Sequence, residues 1–186
     1  MSDDHDQRLV RLYKKGDQDA LATLIRIHTD SVFNFICSFV KDTDVAADIT
    51  QETFVRAWGN INRFDESRSF KVWLLSIAKN AAIDFLRKKK SIPFSKLETE
   101  QEDSLPFDVS DDNPLPDELF AQKELREIMN NIVTKLPPMY RSVITLYYHE
   151  GLNFREIAAI DGSSIDTIKS RHRRALVIIK KEIMMA

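Results

Sequence analysis

Cysteine is nearly absent: Cys37 stands alone among 186 residues, so no internal disulfide can form and a cysteine-rich zinc site is excluded. Its place in the apolar pattern VFNFICSFV predicts an inert, buried thiol. Glycine occurs only four times, which argues against a turn-rich β architecture and for a helical one. No apolar run approaches the ~20 residues that a membrane span requires. The opening MSDDHDQR is acidic where a secretory leader would be basic and then apolar, so the expected compartment is the cytoplasm. His5, His28, His149 and His172 lack metal-ligand spacing, and no metal or cofactor is expected.

Positive charge is not in excess either. With 27 Lys and Arg against 29 Asp and Glu, the formal net charge of -2 looks unfavourable for nucleic-acid binding. The total hides a segregation. Residues 91–118 hold nine acidic side chains (Glu98, Glu100, Glu102, Asp103, Asp108, Asp111, Asp112, Asp117, Glu118) against Lys96 alone, and the blocks on either side end in basic helical patterns. Where the charge sits decides more than its sum.

The apolar pattern predicts an all-α chain of two small helical domains, residues 1–90 and 119–186, joined by an acidic linker over 91–118. In the first block Leu21, Leu24, Ile25, His28, Val32, Phe35, Ile36 and Phe39 recur at three- and four-residue steps, one face of a helix. A second helix follows Thr43 or Asp44 as N-cap. Val45, Ile49, Ala57, Trp58 and Ile61 supply its apolar side, and Asp48, Gln51, Glu52 and Val55 share another face. That face is either a solvated surface or a dock for a basic, partly apolar partner.

After the polar loop 59–69, a third helix carries Phe70, Trp73, Leu74, Ile77, Ala81, Phe85 and Leu86 on its stripe and ends in Arg87, Lys88, Lys89 and Lys90. Cations in a last turn complement the helix dipole. Beside aromatics they also suit an unstacked nucleic-acid strand, with bases on the rings and phosphates on the cations. The two Trp side chains are more often core, whereas Phe64 in a polar loop is harder to explain that way.

Four prolines and the acidic run make 91–118 a linker, expected to be mobile when free. Its 28 residues could stretch to roughly 90 Å, more than two turns of duplex DNA at about 70 Å. In the second block Leu125, Ile128, Met129, Ile132 and Val133 form an amphipathic helix that stops at Leu136, and Pro137-Pro138 opens the next. Asn153 and Glu156 have capping-box spacing for a helix from Phe154 to Ile160. Gly162 then supplies a tight turn, and Ser163 or Ser164 caps a last helix. Short helix, glycine turn and second helix make the helix-turn-helix pattern. Ile165, Ile168, His172, Ala175 and Ile179 are expected to face inward, and Thr167, Lys169, Ser170, Arg171, Arg173 and Arg174 outward, as a major-groove reader or a solvated basic helix.

These stretches, in this order, resemble the extracytoplasmic-function sigma factors of the sigma-70 family. DITQETFVRAW is similar to that family's polymerase-docking helix, FDESRSFKVWLLSIAKNAAIDFLRKKK to its promoter-melting segment, and LPPMYRSVITLYYHEGLNFREIA with TIKSRHRRA to its C-terminal helix-turn-helix. The resemblance implies a dissociable initiation factor, not an enzyme. Asp48, Gln51, Glu52, Val55 and Arg56 would contact the clamp helices of the large subunit of core RNA polymerase. Asn60, Asn62, Arg63, Phe64, Phe70, Asn80, Arg87 and Lys88 would capture the unpaired minus-ten strand of promoter DNA. Thr167, Lys169, Ser170, Arg171, Arg173 and Arg174 would read the minus-thirty-five duplex. The linker would thread into the polymerase's RNA path, and a cognate anti-sigma factor is an implied partner. Asp161, Ser163, Asp166 and His172 depart from the family's usual residues and put the packing of the turn in question.

Two other functions compete. A stand-alone helix-turn-helix regulator explains the last block but gives the Asp48 to Arg56 stripe no role. A metal enzyme built on the acidic residues would need them in a pocket rather than in a proline-broken linker.

Overall fold

The computed structural model describes residues 2–40, 42–90 and 129–185. The linker expected over 91–118, with its acidic run, and the first part of the helix expected after it, with Leu125 and Ile128, lie outside the described residues. Among the described residues every regular element is helical, as the composition implied. None of these helices is long and apolar enough to cross a membrane.

Four helices make the N-terminal bundle. The first, α1 (Ser2–Lys14), was expected only as a polar start. It buries Leu9 and Val10 and also Asp6, whose Oδ2 lies 2.9 Å from His28 Nε2. Gly16, at φ +103, makes the turn into α2 (Gln18–Cys37), a backbone angle that costs other residues strain. Asp17 caps α2 by accepting from the backbone N–H of Asp19 at 3.0 Å and Ala20 at 3.3 Å.

The next helix, α3 (Thr43–Asn60), starts one residue earlier than the sequence suggested. Asp42 is its cap, because its extended backbone lets Oδ1 turn back to the N–H groups of Asp44 and Val45. A 3-10 turn, Ile61–Arg63, leads to the loop before α4 (Phe70–Lys90). Leu24, Phe35, Ile36, Ile49, Leu74 and Leu75 fill the centre of the bundle, each contributing roughly 1.5–3 kcal/mol by leaving water.

The C-terminal unit comprises α5 (residues 129–134), α6 (Pro138–Ile144) with a π turn after it (Thr145–His149), α7 (Phe154–Asp161) and α8 (Ile165–Ile183). Ile132, Leu136, Ile144, Ala175 and Ile179 form a core of their own. Val143, Leu146, Leu152, Ile157, Ala158, Ile160 and Ile168 instead continue the core of the bundle. The bridge is α7, which packs on α4. Ala78, Ala81 and Ala82 are buried on α4, and such small side chains let neighbouring helices approach closely.

Candidate functional site

On α3 the hydroxyls of Thr50 and Thr53 turn inward and donate to the carbonyls of Ala46 and Ile49, at 2.7 and 2.8 Å. That choice of face leaves Asp48, Gln51, Glu52 and Val55 exposed together, with Val55 70% open to solvent. Arg56 closes the stripe. Its guanidinium donates to Glu52 Oε1 at 2.6 Å and to Asp84 Oδ2 on α4 at 3.3 Å. Trp58, expected on the apolar side, is instead half exposed and meets Tyr13 of α1 edge-on at 6.2 Å. The helix therefore presents acids and an amide with a valine and a tryptophan one turn apart, an arrangement suited to a partner with basic and apolar groups.

Of the residues singled out for a melted strand, Asn60, Asn62, Arg63, Asn80, Arg87 and Lys88 are exposed. Phe64 and Phe70 are not. Both are buried, Phe64 meeting Phe70 edge-on at 5.6 Å and Trp73 at 4.9 Å, so neither ring is open to a base. The 3-10 turn is the cause: it sends Ile61 and Phe64 into the core and leaves Asn62 and Arg63 outside. The loop is also held from α1. Lys14 Nζ donates to the Phe64 carbonyl at 3.1 Å and to Glu66 Oε1 at 2.9 Å, while Asp65 accepts from the N–H and hydroxyl of Ser67.

The helix-turn-helix consists of α7 and α8. Asn153 and Glu156 form the expected capping box: Asn153 Oδ1 accepts from the N–H of Glu156 at 3.1 Å, and Glu156 Oε2 from the N–H of Asn153 at 2.8 Å. Gly162 ends α7 in the left-handed region at φ +72, where a side chain would be strained. Ser164 caps α8, its Oγ accepting from Thr167 N–H at 3.1 Å. Lys169, Arg173 and Arg174 are exposed, but Thr167, Ser170 and Arg171 are half-buried. Ile165, expected inside, is 36% exposed, whereas Ile168 in the same turn is fully buried.

Asp161 explains Arg171. Its Oδ2 accepts from Arg171 Nη1 at 2.7 Å, and its Oδ1 lies 3.2 Å from Lys79 Nζ of α4, which also donates to the Asp161 carbonyl. Burial would raise the Asp161 carboxyl's pKa, yet the neighbouring Ser163 side chain together with Lys79 and Arg171 holds it below the ordinary carboxylate value. Before α7, Glu150 accepts from Ser31 Oγ of α2 at 2.6 Å and pairs with Lys71 Nζ of α4 at 2.8 Å, with His149 Nδ1 2.9 Å away. Here too burial is outweighed by the donors, and the pKa is lowered. These contacts join residues far apart in sequence, and the short-range spacing carried no signal of them.

His172 packs among Tyr147, Tyr148 and Phe154, with ring centroids at 4.9, 5.7 and 5.2 Å. Its Nε2 is buried and makes no hydrogen bond, and burial lowers its pKa. Neutral His is thus the form that fits the folded state. Stability from this site is present above the unfolded pKa of about 6.5 and falls as pH drops through the lower folded value. His172→Leu is expected to raise stability by about 1 kcal/mol, more at pH 5 than at pH 8, measured by denaturant unfolding at both. Equal or lower stability at pH 5 would refute this account.

Two family models match the chain: Sigma-70 region 2 over residues 24–92 and Sigma-70, region 4 over residues 133–181. The chain is 34% identical over 179 residues to the ECF RNA polymerase sigma factor SigW of Bacillus subtilis, covering 95% of this chain and 96% of that one. It is 32% identical over 182 residues to the ECF RNA polymerase sigma-E factor of Escherichia coli K12, covering 96% and 94%. Among solved structures it resembles CnrH, determined in complex with the cytosolic domain of CnrY, with a TM-score of 0.67 at 25% identity over 97% and 98% of the two chains. The sigma factor RpoE from Bartonella quintana, in complex with the anti-sigma factor NepR, shares the fold at a TM-score of 0.68 and 22% identity over 88% and 96%.

Proposed function

The chain belongs to the extracytoplasmic-function sigma factors of the sigma-70 family, and on that premise we propose that it docks on the clamp helices of core RNA polymerase and directs initiation at promoters read in two places. Sigma factors are initiation factors rather than enzymes, so the work is done by binding energy. The observation that carries the proposal is the α3 stripe: Asp48, Gln51, Glu52 and the largely exposed Val55 lie open on one face, with Arg56 at its edge. Folding gains nothing from an exposed valine there, but a partner does.

In this reading residues 1–90 serve polymerase and the minus-ten strand, 119–186 serve the minus-thirty-five duplex, and 91–118 join them. Asn60, Asn62 and Asn80 offer hydrogen bonds to unpaired bases, while Arg63, Arg87 and Lys88 neutralise phosphates. Unpairing costs about 1.4 kcal/mol per base-pair step, so a few such contacts tip melting only on a protein already held by polymerase. On α8, Lys169, Arg173 and Arg174 face a duplex, with Thr167, Ser170 and Arg171 nearer the turn. An anti-sigma factor that covers the α3 face would exclude polymerase, and such an antagonist is part of the proposal.

The test is transcription in vitro by core RNA polymerase on genomic promoter fragments, with and without the protein. Specific starts should depend on its addition. Arg174→Ala should lower promoter affinity by ~1–3 kcal/mol if the side chain contacts a base. No stimulation, combined with tight duplex binding by the protein alone, would replace the proposal by a stand-alone regulator.

A further inference from the structure

Two largely buried carboxylates, Glu150 and Asp161, bracket α7 and meet two lysines of α4. Glu150 precedes α7 and pairs with Lys71; Asp161 ends it and pairs with Lys79 and Arg171. Lys71 and Lys79 are eight residues apart, roughly 12 Å along a helix, which is also about the length of an eight-residue helix such as α7. Both ends of α7 are thereby pinned in one register on α4. The Glu150 side chain is only 4% exposed, and those of Asp161 and Lys79 are 16% and 11% exposed, so salt screens these pairs less than it would surface pairs.

We propose that Glu150 and Asp161 form a two-carboxylate latch that closes the helix-turn-helix unit onto the N-terminal bundle and, while closed, withholds Lys71 and Lys79 of α4 from nucleic acid. The nature of the contact favours a reversible device. Buried ion pairs specify geometry more than they add stability against an apolar alternative, and when the units part, every one of these groups can be hydrated. The apolar share of the interface, continuous through Leu146, Leu152 and Ala158, favours approach, and the charges set the register. Asp161, a departure from the family pattern, is the member that engages α4 and the candidate reading helix at once. The latch is a property of the free chain. Its consequence for promoter binding rests on the function proposed above.

The experiment compares the free full-length protein with Glu150→Gln/Asp161→Asn by small-angle X-ray scattering, with helicity checked by circular dichroism. Wild type should be compact, with a radius of gyration near the ~16 Å of a globular chain of this length, allowing for the linker. The double variant should expand by about a fifth. It should also bind a random-sequence 20-base-pair duplex about tenfold more tightly, with a steeper salt dependence as extra cations reach phosphate. The charge exchange Lys71→Glu/Glu150→Lys should return the radius to the wild-type value, a rescue that removal of a merely structural group would not allow. An unchanged radius in a helical double variant overturns the latch, as does a charge exchange no more compact than Glu150→Lys alone. Expansion without tighter duplex binding overturns the masking. If wild type fails to direct specific starts by core polymerase, the proposed function falls, while scattering, which needs neither polymerase nor DNA, decides the latch by itself.

Discussion

Exchange of Glu52 for lysine is expected to lower affinity for core RNA polymerase by about 30-fold, with little change in thermal unfolding. The fold has little at stake in this side chain. The Glu52 side chain is 48% exposed, and among the described residues its ion pair is the i,i+4 contact with Arg56, which in water contributes a few tenths of a kcal/mol. Arg56 also pairs with Asp84 at 3.3 Å, a contact that the substitution does not touch. An interface has much more at stake, because Glu52 lies at the middle of the stripe beside Val55. Reversing a charge at the centre of a docking face both removes an attraction and sets like charges together, a loss of the hot-spot size of ~2 kcal/mol or more. Binding measured by fluorescence anisotropy, with melting followed by circular dichroism, separates the two effects. Wild-type affinity in a folded Glu52→Lys protein would remove α3 as the docking helix.

That separation of fold from surface was partly legible in the sequence. The capping box at Asn153 and Glu156 and the left-handed turn at Gly162 are local: the groups that satisfy each other are within four residues, so spacing alone identifies them. The apolar stripes of α2 and α4 follow from the same short period. Where a residue's fate depends on a distant neighbour, the pattern misled. Trp58 looked like core, but it is half exposed and meets the edge of Tyr13. Phe64 looked like an exposed loop aromatic, but the 3-10 turn carries it between Phe70 and Trp73. The first helix was missed because Asp6, which meets His28 of the α2 stripe inside the bundle, read as part of a polar start. Asp161 read only as a misfit in its motif, since its partner Lys79 lies in another unit.

Arg141 is the extreme case of that distance, and its removal should give the largest loss of stability. It is 6% exposed, and its Nε donates to the carbonyl of Ser38 at 2.8 Å while Nη1 donates to that of Thr134 at 2.9 Å. Ser38 is the C-cap of α2, which has no basic residue in its own last turn, and Thr134 is the last residue of α5. One guanidinium thus serves two helix C-termini, supplying donors to carbonyls that have none within their helices and a cation to the negative ends of both dipoles. Arg141→Ala leaves both carbonyls unpaired beside a cavity, and the expected cost is about 3–5 kcal/mol. Arg141→Lys keeps the charge but not the fork and should fall between the two. Burial lowers the pKa of Arg141 to about 10, still far enough above neutrality that the group is charged in folded and unfolded chains alike between pH 5 and 8. The loss should therefore be the same across that range, as urea unfolding at pH 5.5 and 8 would register. A cost below about 1 kcal/mol would mean that water satisfies the two carbonyls equally well, and that the joint between α2 and α6 is held by apolar packing alone.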